Sequence, residues 1–278
     1  MLILNKLDFL IHCLLEENKN IIVEKIPTDE EGKKKVWRSL CNIRDAKPIS
    51  KEYLQIEGEY LQEELKKKKI TNAKDIKPIA FSIREANLDK KDKICLWKGD
   101  ITTLQIDAIV NAANSQGLGC FIPCHKCIDN QIHTFAGIGL RLECNEIMKK
   151  KDYYLKTGEA FITKGYNLPA KYIIHTVGPI IQDKVTKIEE TQLANCYINS
   201  LQLAMKKKIR TIAFLCISTG EFKFPKEKAS NIAISAIENF LKDYNSYFDK
   251  IVFNVYNEED YNIYEQNIGE NRKSKELD

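Results

Sequence analysis

The chain lacks an apolar run of the roughly 20 residues that a membrane-crossing helix needs. The apolar stretch at residues 9–15 contains His12, ends at Glu16-Glu17 and has no basic segment before it. Neither a signal peptide nor a membrane partner is therefore expected. A regular disulfide framework is missing too. The nine cysteines are an odd number without paired spacing, which fits a reducing compartment, and the expected location is cytoplasmic. Strong charge of one sign is also absent. A net charge of +4 with 29% charged residues is too little to imply a nucleic-acid partner. The lysine runs at 33–35, 66–69, 149–151 and 206–208 suit solvated helix ends. Nothing resembles a phosphate-binding P-loop lysine, and no internal repeat is visible.

What remains is a chain of 278 residues, enough for a large domain or a medium one with an appendage. Its first 70 residues read as helices. Leu7, Leu10, Ile11, Leu14 and Leu15 recur on one helical face. Thr28 and Glu31 form a capping-box pattern before a helix carrying Val36, Leu40 and Ile43. Pro48 ends that helix, and Ser50 can cap a third with Tyr53, Leu54, Leu61 and Leu65 facing inward. From Lys93 the pattern changes. Apolar runs at 94–97, 108–110, 160–163, 172–176, 211–216 and 251–255 fit buried strands, separated by helix-length segments near 130–150, 190–208, 226–243 and 258–268. The alternation predicts a three-layer α/β/α sandwich with a mixed, largely parallel sheet. The expected division is an N-terminal α-helical extension (1–90), an α/β/α domain (91–268) and a polar disordered tail (269–278).

Residues 119–133 read GCFIPCHKCIDNQIH. Cys120, His125 and Cys127 lie within eight residues, with the carboxylate of Asp129 two residues later. Thiolate and imidazole donors suit zinc, and catalytic zinc sites commonly use three protein ligands and one open position. Two plainer readings stand beside this one. The thiols could be ordinary buried cysteines, or Cys124 could close a structural site as fourth ligand. Against closure, Cys124 and His125 are neighbours, and neighbours on extended chain point to opposite faces.

The loops that follow the expected strands resemble, in order, those of the macrodomain family. The matching stretches are Gly99-Asp100-Ile101-Thr102, Asp107-Ala108-Ile109-Val110-Asn111-Ala112-Ala113-Asn114, Thr157-Gly158-Glu159-Ala160, His175-Thr176-Val177-Gly178-Pro179 and Ile217-Ser218-Thr219-Gly220. In most macrodomain hydrolases a glycine run precedes an acid followed by Ile-His. Here the acid and that pair remain as Asp129 and Ile132-His133, while the glycine run is replaced by the segment from Cys120 to Cys127. That replacement resembles the zinc-containing macrodomains, protein-ADP-ribose hydrolases with an N-terminal helical extension and a frequent link to sirtuin-type ADP-ribosyltransferases.

The resemblance implies a macrodomain sandwich, Zn2+ held by Cys120, His125 and Cys127, and Cys124 at a variable position. It implies that Asp100, with Ile101 beside it, receives adenine and that Tyr256 stacks on the base. Ser218, Thr219, Gly220, Glu221 and Phe222 would wrap the diphosphate, Asn114 would orient the distal ribose, and Asp129 would sit beside the scissile centre. Backbone N–H groups near Gly220 and Gly137 could cradle the diphosphate without a lysine. His133 and His175 read as satisfied core histidines. The implied activity is removal of mono-ADP-ribose from a modified protein, a lipoyl-carrier protein among the possible substrates. A non-catalytic ADP-ribose reader and an O-acetyl-ADP-ribose esterase would share the binding loops.

Overall fold

A computed structural model describes residues 5–270 apart from 20, 22–24, 84, 85, 87 and 245. Three helices come first: α1 (Lys6–Glu17), α2 (Glu30–Ile43) and α3 (Lys51–Lys66). Leu7, Leu10, Ile11 and Leu14 are buried on one face of α1, as their spacing requires. Ser50 caps α3 by accepting from the Tyr53 amide. The start of α2 differs from the expectation. Asp29, not Thr28, is its cap, accepting from the Gly32 amide at 2.8 Å. A carboxylate there satisfies an orphan N–H and also carries charge to the positive end of the helix dipole. The three helices enclose a small core that includes Leu10, Leu14, Trp37, Leu40 and Tyr53, and Ile138 joins it from beyond the extension.

A short stretch with β1 (Thr71–Asn72) and α4 (Ile79–Ser82) leads into the main unit, and Ala73, Ile76, Ile79 and Leu88 already pack into its core. The elements that follow are β2 (Ile94–Lys98), β3 (Leu104–Gln105), β4 (Ala108–Ala112), α5 (Ile128–Ala136), α6 (Ile138–Lys149), β5 (Ala160–Lys164) and β6 (Tyr172–Thr176). After these come α7 (Lys187–Lys206), β7 (Thr211–Phe214), α8 (Lys226–Asp243), β8 (Lys250–Val255) and α9 (Glu258–Glu270). The main sheet has the order β2-β8-β7-β4-β6-β5, with β5 antiparallel to β6 and the other neighbours parallel. Helices cover both faces: α7, α8 and α9 pack side by side, while α5 and α6 lie against β4 and β5. Parallel strands covered on both sides read as continuous apolar runs, which is why they are visible in the sequence. Of the expected tail, 269 and 270 belong to α9, and 271–278 lie outside the described residues.

The helix expected near 130–150 is two helices. Gly137 separates α5 from α6 at φ +91°, a backbone conformation that glycine adopts cheaply. Glu57 of α3 fills the space a side chain would need, its Oε2 lying 2.7 Å from where a Cβ on Gly137 would stand. The same oxygen accepts from the Ile138 amide at 2.9 Å. The chain's own carboxylate therefore occupies the helix start where the sequence suggested a diphosphate cradle at Gly137.

Burial pushes the Glu57 carboxyl from 4.5 up to about 7, against the opposing pull of the Ile138 N–H, the Tyr53 hydroxyl and Arg44. A folded pKa above the unfolded one gives stability that is complete below about pH 4.5 and is lost as pH rises through about 7. Glu57→Gln stays neutral throughout. In urea unfolding it should gain on the wild type by roughly 3 kcal/mol between about pH 5 and about pH 9. Parallel pH profiles for the two proteins would exclude this carboxyl as the source.

Candidate active site and metal centre

Beyond β4 the chain turns through a loop that Asn114 closes on itself. Its Oδ1 accepts from the amides of Gln116 at 3.0 Å and Gly117 at 3.1 Å, and its Nδ2 donates to Gly119 O at 3.1 Å. Gly119 has φ +85°, and a Cβ there would come within 2.7 Å of the His133 ring, so only glycine fits. One Nδ2 hydrogen of Asn114 remains for a ligand.

The next residues bring the three expected metal donors together. The ligand atoms of Cys120, His125 and Cys127 all lie within 4.8 Å of one another, and Cys120 Sγ is 3.6 Å from His125 Nδ1. Zinc–sulfur and zinc–nitrogen bonds of ordinary length, set tetrahedrally, place two such donors about 3.6 Å apart. Cys127 also caps α5, its sulfur accepting from the Asn130 amide. Cys124 points elsewhere. At φ +52° it turns its thiol to Lys35 O at 3.4 Å, and its amide donates to Asn42 Oδ1 at 2.9 Å. The free nitrogen of His125, Nε2, lies 3.6 Å from Glu221 Oε1. A carboxylate behind a ligating imidazole is a common way to fix its orientation.

Asp129 stands in the first turn of α5 and is buried. Asn111, on β4, donates from Nδ2 to Asp129 Oδ1 at 2.7 Å and reaches His175 Nδ1 at 3.1 Å. The β4–β6 register sets Asn111 directly beside His175. His175 Nε2 is 3.0 Å from Thr163 Oγ1, and its ring stacks on Phe161 at 4.6 Å. With Nδ1 accepting from the amide, the imidazole proton is assigned to Nε2. Burial lowers the His175 pKa to about 3, so the ring is neutral. Burial raises the Asp129 carboxyl to about 6, with the Asn111 bond and the Arg141 charge opposing.

His175 is thus the satisfied core histidine the sequence suggested. His133 is not: it is buried, and neither ring nitrogen has a hydrogen-bond partner among the described residues. Asp129 Oδ1 lies 3.7 Å from its Nε2, and burial, the Arg141 charge and His175 hold its pKa well below the usual range.

The other expected residues gather at the carboxyl ends of the neighbouring strands. The Gly99 amide donates to Val255 O at 3.0 Å, so Asp100 and Tyr256 follow adjacent strand ends, β2 and β8. Tyr256 is 78% exposed, which rules out core packing. Ile101 is buried, leaving its side chain to the core. Asp100 has local partners: Oδ1 accepts from the Thr102 amide and hydroxyl, and Oδ2 pairs with Lys68 Nζ at 3.2 Å. Beyond β7, Ser218 has φ +65° and a buried hydroxyl without a partner among the described residues. Thr219 donates to Cys216 O, Gly220 faces open space, and the Ile181 amide donates to Phe222 O at 2.9 Å. Glu221 links this loop to the metal loop through His125.

The sequence pattern does not mark Asn111, Thr163 or Arg38 as site residues, and it reads Lys68 as part of a solvated helix end, whereas Lys68 pairs with Asp100. Asn111 lies inside the Val-Asn-Ala-Ala-Asn stretch, but its partners Asp129 and His175 lie 18 and 64 residues away. No local signal marks Lys68.

The profile of the Macro domain family matches residues 110–233. A protein-ADP-ribose hydrolase of Treponema medium is 48% identical over 256 residues, 92% of this chain and 95% of the relative. One from Staphylococcus aureus (strain MRSA252) is 45% identical over 262 residues, 94% of each. Among solved structures, the Trypanosoma brucei macrodomain in complex with ADP-ribose superimposes with a TM-score of 0.64 at 29% identity. That match covers 83% of this chain and 95% of the trypanosomal one.

Proposed function

This chain belongs to the macrodomain family, and from that premise we propose that it is a protein-ADP-ribose hydrolase of the zinc-containing, sirtuin-linked branch. The observation that carries the reading is the order of groups along one sheet edge. Asp100 follows β2, Tyr256 follows β8, the 218–222 loop follows β7, and Asn114 with Asp129 follows β4. These four strands are consecutive neighbours, and three strand spacings cover about 14 Å. The ligand that suits this row has a base with an amino donor, a diphosphate in the middle and a sugar at the far end.

Each position has a physical role. The Asp100 carboxylate accepts from the adenine amine, and the exposed Tyr256 ring covers the base. The 218–222 loop offers backbone N–H groups and the unpartnered Ser218 hydroxyl to the diphosphate, with Gly220 leaving room for close approach. Asn114 turns its remaining amide hydrogen to a ribose hydroxyl. Asp129, held by Asn111, provides a carboxylate that accepts a proton from the attacking water or from the ribose. Cys120, His125 and Cys127 would hold zinc, and Asp129 follows the last of them by two residues. Bound there, zinc would supply Lewis acidity to the distal ribose or to a water. We place the reaction in a reducing cytoplasm, which nine free cysteines suit, with a lipoyl-carrier protein among the substrates to test.

The test is incubation with a mono-ADP-ribosylated protein, following free ADP-ribose with native metal, after chelation and after zinc is restored. Release that chelation abolishes and zinc restores is expected. Binding of the modified protein without release would make the chain a reader, and turnover confined to O-acetyl-ADP-ribose would make it an esterase. At the other end of the cleft, Asp100→Ala should weaken ADP-ribose binding by about 1–3 kcal/mol in calorimetry. Unchanged affinity in a folded variant would place the adenine away from this strand end.

A further inference from the structure

We infer that the N-terminal helical extension is a built part of the metal centre, with Arg38 and Asn42 of α2 holding the donor loop in its ligand-presenting shape. This rests on the zinc reading above and deepens it.

The loop between β4 and α5 has no regular secondary structure from 113 to 127. Fixing irregular chain costs backbone entropy, so something must hold its donors in register. Hydrogen bonds from α2 do so. Arg38 Nη2 donates to His125 O at 2.8 Å and to Asn130 Oδ1 at 2.7 Å, and its Nε reaches the same Asn130 oxygen at 3.1 Å. Asn130 in turn donates from Nδ2 to Ile122 O at 3.0 Å. Asn42 accepts from the Cys124 amide and donates to Thr134 Oγ1 at 3.3 Å, while Lys35 O receives the Cys124 thiol.

Lys35, Arg38 and Asn42 are spaced i, i+3, i+7, one face of α2. Trp37, Leu40 and Cys41 on the same helix are buried in the extension's own core, which makes α2 a firm support. Arg141 of α6 locks the junction from the far side. Its guanidinium donates to Leu118 O and Cys120 O on the loop and to Cys41 O, Asn42 O and Arg44 O at the end of α2. Both ends of the donor loop are thereby tied to the extension. Cys124 takes its left-handed conformation in this grip and is turned away from the donor cluster.

The test reads metal affinity, not turnover, on the full chain. Zinc-bound wild type, Arg38→Met, Arg38→Lys and Asn42→Ala compete with a chromophoric chelator, and melting temperatures are recorded for the chelated proteins. Arg38→Met and Asn42→Ala should bind zinc about 10- to 100-fold more weakly, the range for losing a group that orients a ligand. Arg38→Lys should fall between, because an ammonium cannot span the two oxygens as a guanidinium fork does. Lys34→Ala is the control. Lys34 joins α2 to Glu64 of α3, so its loss loosens the extension without touching the loop, and zinc affinity should stay at the wild-type value. Equal weakening in Lys34→Ala would reduce the effect to general stability and overturn the inference. Wild-type affinity in the Arg38 and Asn42 variants would overturn it while leaving the zinc site standing. A wild type that binds no zinc would remove both readings together.

Discussion

Asp129→Ala should release ADP-ribose from a modified protein at least about a hundredfold more slowly than the wild type, the lower range for losing a positioned acid–base group. The fold, the metal and ADP-ribose binding should survive. The carboxylate is buried, yet among the described residues its hydrogen bond comes from Asn111 alone, and Asn111 keeps His175 as a second acceptor after truncation. The nearby His133 is neutral, so no ion pair is broken. Circular dichroism and calorimetry establish the fold and the binding, and single-turnover release measures the chemistry. A rate within about threefold of wild type would remove Asp129 from the reaction and turn attention to Asn114.

Cys120→Ala and His125→Ala should each lose the metal, from about one zinc per chain to a small fraction of that, together with a comparable loss of turnover. Cys124→Ala should keep both. The asymmetry follows from direction. Cys120 and His125 turn their donor atoms toward each other at 3.6 Å, while the Cys124 thiol is committed to Lys35 O. Elemental analysis of protein purified without added metal, beside the release assay, checks each variant. Equal zinc loss in Cys124→Ala would mean a closed four-ligand site and a structural metal. Two donors remain in each of the first two variants, so a residual weak site that high zinc concentration refills is compatible with the three-ligand arrangement.

The expected and observed elements agree best where the pattern is local. The parallel strands β2, β4, β6 and β7 begin where their apolar runs begin, because a strand covered on both faces must be largely apolar. No local signal marks the break at Gly137, because glycine within a helical pattern has several meanings and the deciding group, Glu57, lies 81 residues before Ile138. Thr28 reads as a cap because its spacing to Glu31 fits, and Asp29 displaces it with a charged acceptor.

The sequence by itself determined the α/β alternation, the order of the loops and the clustering of Cys120, His125 and Cys127. Each of these depends on residues within a few positions of one another, where periodicity and ligand spacing act directly. Only the tertiary structure decided what holds the site. The parallel register of β4 and β6 sets Asn111 beside His175, and the docking of α2 brings Arg38 onto a loop about 90 residues away in the chain. It also turned the last free nitrogen of His125 toward Glu221 and put Lys68 against Asp100. Such pairings are fixed by how whole elements pack, and polar residues carry no periodic signature that foretells their distant partners.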